Sequence, residues 1–348
     1  MIDGATSAET EREVRGEPTH KVVIIDSARG GYVQDTQIES GVLAPSAEVE
    51  LLRAERASEV ADRLRDADAL ISWHQIALER ADLEGLPNCK GVVRASVGID
   101  NIDLAAAAEL GIRLENVPDY GTEEVADHTL ALILGIARNL QRVARSASRG
   151  EWRWQAIGEV RRLRGRRLGI VGLGRIGTAV AMRAPAFGLR IAFFDPYVPV
   201  GRDKSLGIER VENLRELLMC SDILSLHVPL TPETRGFIGP EELALLPKGA
   251  LVVNTCRGEV IDQDALITAL TGGQLGAAGL DVLADEPAVP APLREHDRVL
   301  LTAHSAFYSN EALSELRTKA AMAARRMLAN PLPQRQSTNG EVVPVGES

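Results

Sequence analysis

Residues 167–195, RLGIVGLGRIGTAVAMRAPAFGLRIAFFD, constrain the fold of this chain more than any other stretch. A short apolar run of strand character leads into Gly172, Gly174 and Gly177, spaced G-x-G-x-x-G. A helical pattern opens at Arg175, and a second apolar run ends in Asp195. In such a unit the first glycine permits a tight turn and the second lets the backbone approach a pyrophosphate. The third lets helix and strand pack closely. The helix N-terminus offers unpaired N–H groups to the phosphate. Asp195 lies 18 residues past Gly177, where an acid bonds adenosine ribose hydroxyls. Its charge would repel the 2′-phosphate of NADP, so the expected cofactor is NAD (NADH). Among 31 glycines the triplet alone is a weak signal; the strand, helix, second strand and acid around it make it specific. Pro185, late in the helix, predicts a kink or an end.

On both sides the pattern alternates between strand and helix. Strands are expected at 22–25, 69–73, 91–94 and 112–116, with a helix over 48–67. VPDYGTEE, 117–124, reads as a hinge, followed by a long, largely buried helix to about 147. Segment 150–165 is irregular, and Trp152 and Trp154 in it are expected to cover a subunit partner or to enter a core, which makes a homodimer the expected assembly. Further strands are expected at 223–226, 250–253, 276–280 and 299–301, then a helix over 311–328. The fold class is therefore α/β, with two doubly wound parallel-sheet domains and a cleft between them. The polar ends, 1–20 and 331–348, are expected to be disordered.

A formal charge of −10 gives no general attraction to nucleic acid or to an acidic membrane surface. Cys89, Cys220 and Cys256 are too few and too scattered for a disulfide framework or a zinc site, so no metal is expected. The polar N-terminus lacks the apolar core of a signal peptide, and the longest apolar run, 130–137, is too short to span a bilayer. The expected location is cytoplasmic.

Ligands of such sheets bind beyond the carboxyl ends of the strands. Three consecutive strand ends there supply Arg257, Glu286 and His304. That set suits hydride transfer to a 2-oxo acid. The carbonyl oxygen gains negative charge as hydride arrives and needs a proton donor, and His titrates near neutrality. A carboxylate orients the imidazole and favours its charged form. Arg polarises the carbonyl and pairs with the substrate carboxylate. Taken singly, Arg257 is equally readable as a surface charge and His304 as a satisfied loop histidine.

Here the chain resembles the D-isomer-specific 2-hydroxyacid dehydrogenase family. The motifs that carry the resemblance are VGLGRIG with Asp195, HVPLTPETR (227–235), VNTCRGEVID (253–262), GLDVLADEP (279–287) and His304. DNIDLAAAAELGI, FFDPY and HSAFYSNEALSELR resemble the C-terminal-binding-protein branch. The resemblance implies a Rossmann NAD-binding domain over 122–306 and a flavodoxin-like substrate domain over 21–121 and 307–330. It implies that Arg257 binds the substrate carboxylate and carbonyl, and that His304, paired with Glu286, donates the proton. Implied cofactor contacts are Gly172, Gly174, Arg175, Ile176, Gly177, Asp195, His227, Val228, Pro229, Thr234, Thr255, Cys256 and Asp281, the last on the nicotinamide carboxamide. Arg94 with the main chain of Ser96, Val97 and Gly98 matches the substrate-carboxylate loop. His74 follows a strand and is a candidate substrate contact. Phe307 stands where the C-terminal-binding-protein branch has a pocket-lining Trp, so the resemblance leaves substrate identity open. The implied partner is a small anionic 2-oxo or 2-hydroxy acid. Two other readings stand beside this one: an NAD-sensing, co-repressor-like scaffold with little turnover, and a dehydrogenase of a phosphonate- or phosphite-type substrate.

Overall fold

The computed structural model describes residues 20–329. The expected disordered ends, 1–20 and 331–348, lie outside the described residues except for His20. Two compact units are present, one of residues 20–118 with 313–329 and one of residues 119–312.

The first unit is built on five parallel strands: β1 (His20–Ser27), β2 (Ala47–Ala54), β3 (Ala69–Trp73), β4 (Gly91–Ala95) and β5 (Arg113–Asn116). Their order is β2-β1-β3-β4-β5. β3 and β4 are buried along their whole length, as a parallel sheet covered on both faces requires. The order reverses between β1 and β3, which makes that crevice the sheet's switch point.

The helix expected over 48–67 is not what forms. Residues 47–54 are β2, which pairs in parallel with β1 over eight residues, and only short helical turns at Ala57–Val60 and Ala61–Leu64 follow. Its Ala, Glu, Leu and Arg residues favour a helix locally, but an unpaired edge of β1 is a stronger claim on the backbone than propensity.

The second unit holds seven parallel strands: β6 (Arg167–Val171), β7 (Arg190–Phe194), β8 (Glu209–Arg210), β9 (Ile223–Leu226), β10 (Ala250–Asn254), β11 (Leu275–Leu280) and β12 (Val299–Leu301). Their order is β12-β11-β10-β9-β6-β7-β8, with the switch point between β6 and β9. Val171 pairs with Leu226, Leu226 with Asn254, Asn254 with Leu280 and Leu280 with Leu301. Five strands thus end in one row, and the loops that follow them share one edge of the sheet.

The long helix expected to run to about 147 is broken. Thr122–Ala137 ends at Asn139, which is left-handed (φ 48°), and a second helix, Leu140–Ser148, starts there. Asn tolerates this conformation, and its side-chain amide donates to Ile157 O at 2.8 Å. The glycine-loop helix Arg175–Arg183 gives way to a 3-10 turn, Ala184–Phe187, at Pro185, as the missing N–H requires.

Candidate active site

The glycine loop leaves β6 at the switch point. Gly172 has φ 89°, and a Cβ there would lie 2.5 Å from His227 O, so only glycine fits under the loop that follows β9. A Cβ on Gly177 would lie 2.1 Å from Gly172 O, while one on Gly174 meets nothing within 4 Å. Gly174 therefore faces open space at the N-terminus of the nine-residue helix Arg175–Arg183, where an anion is favoured. Arg175 is exposed there, and Ile176 packs on the core. Asp195 ends β7 and receives the Leu173 N–H on Oδ2 (2.7 Å) and the Tyr197 N–H on Oδ1 (2.9 Å). It thus fixes the loop and keeps further lone pairs for hydroxyl donors. These residues fit a dinucleotide.

The loop after β9 carries His227, Val228 and Pro229. His227 Nε2 is 2.8 Å from Ser225 Oγ, and burial pushes its pKa down to about 4, which makes it neutral near pH 7. Thr234 closes this loop by donating to Pro229 O (2.7 Å).

After β10, buried Asn254 shapes the turn. Its Oδ1 accepts from Cys256 N (3.0 Å), and its amide donates to Arg257 O (2.8 Å). The Cys256 thiol donates to the same Oδ1, and burial pushes its pKa up, which fits a spacer and not a reactive thiolate. Thr255 is held through its hydroxyl, 2.9 Å from that of Thr129. Arg257 donates to Cys256 O (2.8 Å).

Asp281 ends β11 and is buried. Oδ1 accepts from Thr302 Oγ1 (2.5 Å) and Ser305 N (3.0 Å), and Oδ2 from Ala306 N (3.0 Å). Its main-chain oxygen accepts from His304 N (2.8 Å). One residue thus clamps the chain on both sides of His304, which sits at φ 46°, a strained conformation for a residue with a Cβ. So held, His304 places Nδ1 2.8 Å from Glu286 Oε2. Glu286 Oε1 accepts from Leu283 N (2.9 Å). Burial raises the Glu286 pKa, but the hydrogen bond and charge of His304 and the Leu283 N–H outweigh it and leave the group lowered. A carboxylate on Nδ1 fixes the ring and directs Nε2 to any external partner. Phe307, next in line, is buried in this unit, with its ring 6.2 Å from that of Tyr120.

In the first unit, His74 follows β3 at the switch point. Tyr32, from the loop after β1, lies against it with ring centroids 5.0 Å apart, and Tyr32 stacks on Trp73 at 5.3 Å. Arg94 was expected at the substrate carboxylate. In the structure it is 2% exposed, and its guanidinium donates to Ser72 Oγ, Trp73 O, Ile76 O and His74 O. A buried cation with those acceptors supports the 73–76 loop. Ser96 donates to Gly98 O (2.7 Å), and Val97, whose main-chain oxygen accepts from Asn116, is exposed.

Sequence reasoning gave no functional role to Asn254, Tyr32, Thr302 or His128. Asn254 carries a readable signal, a polar residue closing an apolar run; the others become visible only once strand ends are aligned. Among the described residues no cluster of His, Cys, Asp and Glu is placed to hold a metal, and no helix is long and apolar enough to cross a membrane.

A doubly wound unit with a glycine loop at its switch point and an acid-paired histidine on the same sheet edge defines a nucleotide-binding oxidoreductase type of domain. The comparisons agree. The family model described as D-isomer specific 2-hydroxyacid dehydrogenase, NAD binding domain, matches residues 130–306. The chain is 40% identical over 296 residues to D-3-phosphoglycerate dehydrogenase of Methanocaldococcus jannaschii, covering 84% of this chain and 56% of that one. It is 38% identical to C-terminal-binding protein 1 of Caenorhabditis elegans, covering 86% of this chain and 43% of that one. The chain thus spans about half the length of these curated relatives. The crystal structure of D-lactate dehydrogenase from Aquifex aeolicus, complexed with NAD and lactic acid, superposes with a TM-score of 0.78 at 30% identity, covering 88% of this chain and 95% of that one. The chain belongs to the D-isomer-specific 2-hydroxyacid dehydrogenase family, and residues 130–306 form its NAD-binding domain.

Proposed function

We propose that this chain interconverts a 2-oxo acid and a D-2-hydroxy acid with NAD(H). The observation that carries the reading is the 2.8 Å contact between His304 Nδ1 and Glu286, on a loop clamped by Asp281. NADH, when bound, supplies hydride to the carbonyl carbon. Gly172, Gly174 and Gly177 admit its pyrophosphate, Arg175 and Ile176 open the helix beneath it, and Asp195 accepts from ribose hydroxyls. The loop of His227, Val228 and Pro229, with Thr234, Thr255 and Cys256, lines the same edge. The remaining lone pair on Asp281 Oδ2 suits the carboxamide N–H. His304 holds a proton on Nε2 for the carbonyl oxygen, and Glu286 stabilises the charged ring. Arg257 pairs with the substrate carboxylate and polarises the carbonyl. In the reverse direction the same histidine accepts the hydroxyl proton.

For substrate choice we propose His74, Phe307 and the main chain of Ser96, Val97 and Gly98, with Arg94 acting through the 73–76 loop. The likeness to a phosphoglycerate dehydrogenase places a phosphorylated 2-oxo acid in the panel of candidates. The likeness to a C-terminal-binding protein keeps a binding scaffold as the second reading.

The test is NADH oxidation across pyruvate, glyoxylate, a dicarboxylic and a phosphorylated 2-oxo acid, repeated with His304→Ala. At least one substrate should turn over, and the variant should fall by about 10²–10⁴-fold, the usual contribution of a general acid. Tight NADH binding without any turnover favours the scaffold. Retained turnover in the variant removes His304 from its role.

A further inference from the structure

The helix Thr122–Ala137 packs closely on β10, β11 and β12. A Cβ on Gly279 would meet Leu132 Cβ at 3.0 Å, and one on Gly135 would meet Leu300 at 2.8 Å. This approach brings two consecutive side chains of the helix to two strand ends. Thr129 reaches Thr255, and His128 reaches Thr302.

His128 Nε2 is 2.9 Å from Thr302 Oγ1 and 3.6 Å from Asp281 Oδ1. Thr302 Oγ1 is itself 2.5 Å from Asp281 Oδ1. A hydroxyl has one proton. A carboxylate has none to give, so Thr302 donates to Asp281 and must accept from His128, whose Nε2 therefore carries hydrogen. The direction of each bond is thus fixed: His128 to Thr302, Thr302 to Asp281. The same Asp281 carboxylate accepts the N–H groups of Ser305 and Ala306, and its main chain accepts that of His304. His304 is held in a left-handed conformation that is uncommon for a residue with a Cβ.

We propose that His128 is a positioning residue for the proton donor. Through Thr302 it orients the Asp281 carboxylate, which fixes the loop that presents His304 to Glu286. The inference rests on the proposed reaction for its kinetic consequence but on hydrogen bonds of this chain alone for its structural one. His128 touches neither substrate nor His304.

The test compares His128→Ala, His128→Gln, Thr302→Val and the double variant His128→Ala/Thr302→Val. Gln places an amide N–H near the position of Nε2 and should restore the parent behaviour. His128→Ala and Thr302→Val should each lower kcat about tenfold, with KM for the 2-oxo acid within about twofold, since presentation of the proton donor is lost while the Arg257 contact to the substrate carboxylate is untouched. Because both act through one chain of bonds, the double variant should fall about as far as either single. In parallel, amide exchange of the peptide that contains Ser305 and Ala306, followed by mass spectrometry, should accelerate in His128→Ala and Thr302→Val and not in His128→Gln. Additive kinetic losses, or a Gln variant as impaired as the Ala variant, would reduce His128 to packing. Unchanged exchange in both His128→Ala and Thr302→Val overturns the inference outright. Absence of turnover in the parent protein refutes the reaction instead, and the exchange measurement then still decides this point.

Discussion

An ideal Cβ on Gly177 would lie 2.1 Å from Gly172 O, whereas one on Gly174 meets no protein atom within 4 Å. The two glycines serve different ends, and substitution separates them. Gly177→Ala forces helix and strand apart and should destabilise the second unit by about 1–3 kcal/mol, the range for overpacking. Gly174→Ala should leave the thermal midpoint unchanged in calorimetry. Its methyl group enters the space where the cofactor's phosphate comes closest, so NADH affinity, read by fluorescence titration, should fall at least about tenfold. An unaltered affinity would move the phosphate elsewhere. At this scale the sequence marked candidate residues without showing where each side chain turns. The spacing identified Asp195, but not that it also bonds Leu173 N in the loop it serves. The resemblance implied a substrate-carboxylate role for Arg94, and the structure turns its guanidinium to the carbonyls of the 73–76 loop. A side chain's direction depends on acceptors that are distant in sequence, and no local pattern encodes them.

Elements were legible where their periodicity was strong and tertiary structure did not contest it. The buried runs of β3, β4, β9 and β10 are short and mostly apolar, interrupted by Ser72, Arg94 and Ser225 and closed by Asn254, as strands covered on both faces are. β2 was read as a helix because Glu, Leu, Arg and Ala at helical spacing outweighed a register visible only beside β1. The last helix, Asn310–Ala329, shows how an element is anchored by few contacts. Arg317 on it donates from Nε to Glu39 Oε1 (2.8 Å) and from Nη2 to Glu39 Oε2 (2.7 Å), and both side chains are at most 9% exposed. Two and a half turns further on, Arg326 meets Glu115 at 2.8 Å, but Arg326 is 59% exposed. The distances are alike and the energetics are not. Arg317→Ala leaves a buried carboxylate unpaired and should cost about 3–5 kcal/mol in urea unfolding. Arg326→Ala breaks a solvated pair and should cost under about 1 kcal/mol. Equal losses would mean that burial does not set the strength of these pairs.

For the whole molecule, the repeated strand–helix alternation made two parallel-sheet units readable, because each strand end and helix start is a local event. What the alternation could not supply is whether copies associate, and the segment between the broken helix and β6 bears on that. Trp152 is 92% exposed and Trp154 79%, with Leu140 nearby in sequence at 52%. Buried tryptophans remove about 150–250 Å² each from water, so leaving two in solvent forgoes several kcal/mol. The same segment is rich in arginine, with Arg149, Arg153, Arg161, Arg162, Arg164 and Arg166 against Glu151 and Glu159, in a chain of net charge −10. Such a strip repels its own copy but is attracted to the acidic remainder of a second chain, and aromatic and arginine residues are the types enriched at interface cores. We propose that it is the dimer contact, with each copy laying this segment on the other and not on the matching segment. Light scattering should then give twice the 37.5 kDa chain mass. The double variant Trp152→Ser/Trp154→Ser should give the chain mass while retaining the calorimetric transition. The electrostatic part adds a second signature: the dimer dissociation constant should rise with salt, because the attraction between exposed charges is screened over about 10 Å at 0.1 M. A parent protein that stays monomeric at micromolar concentration excludes the dimer, and a salt-independent constant would leave the tryptophans as the contact and the arginines as bystanders.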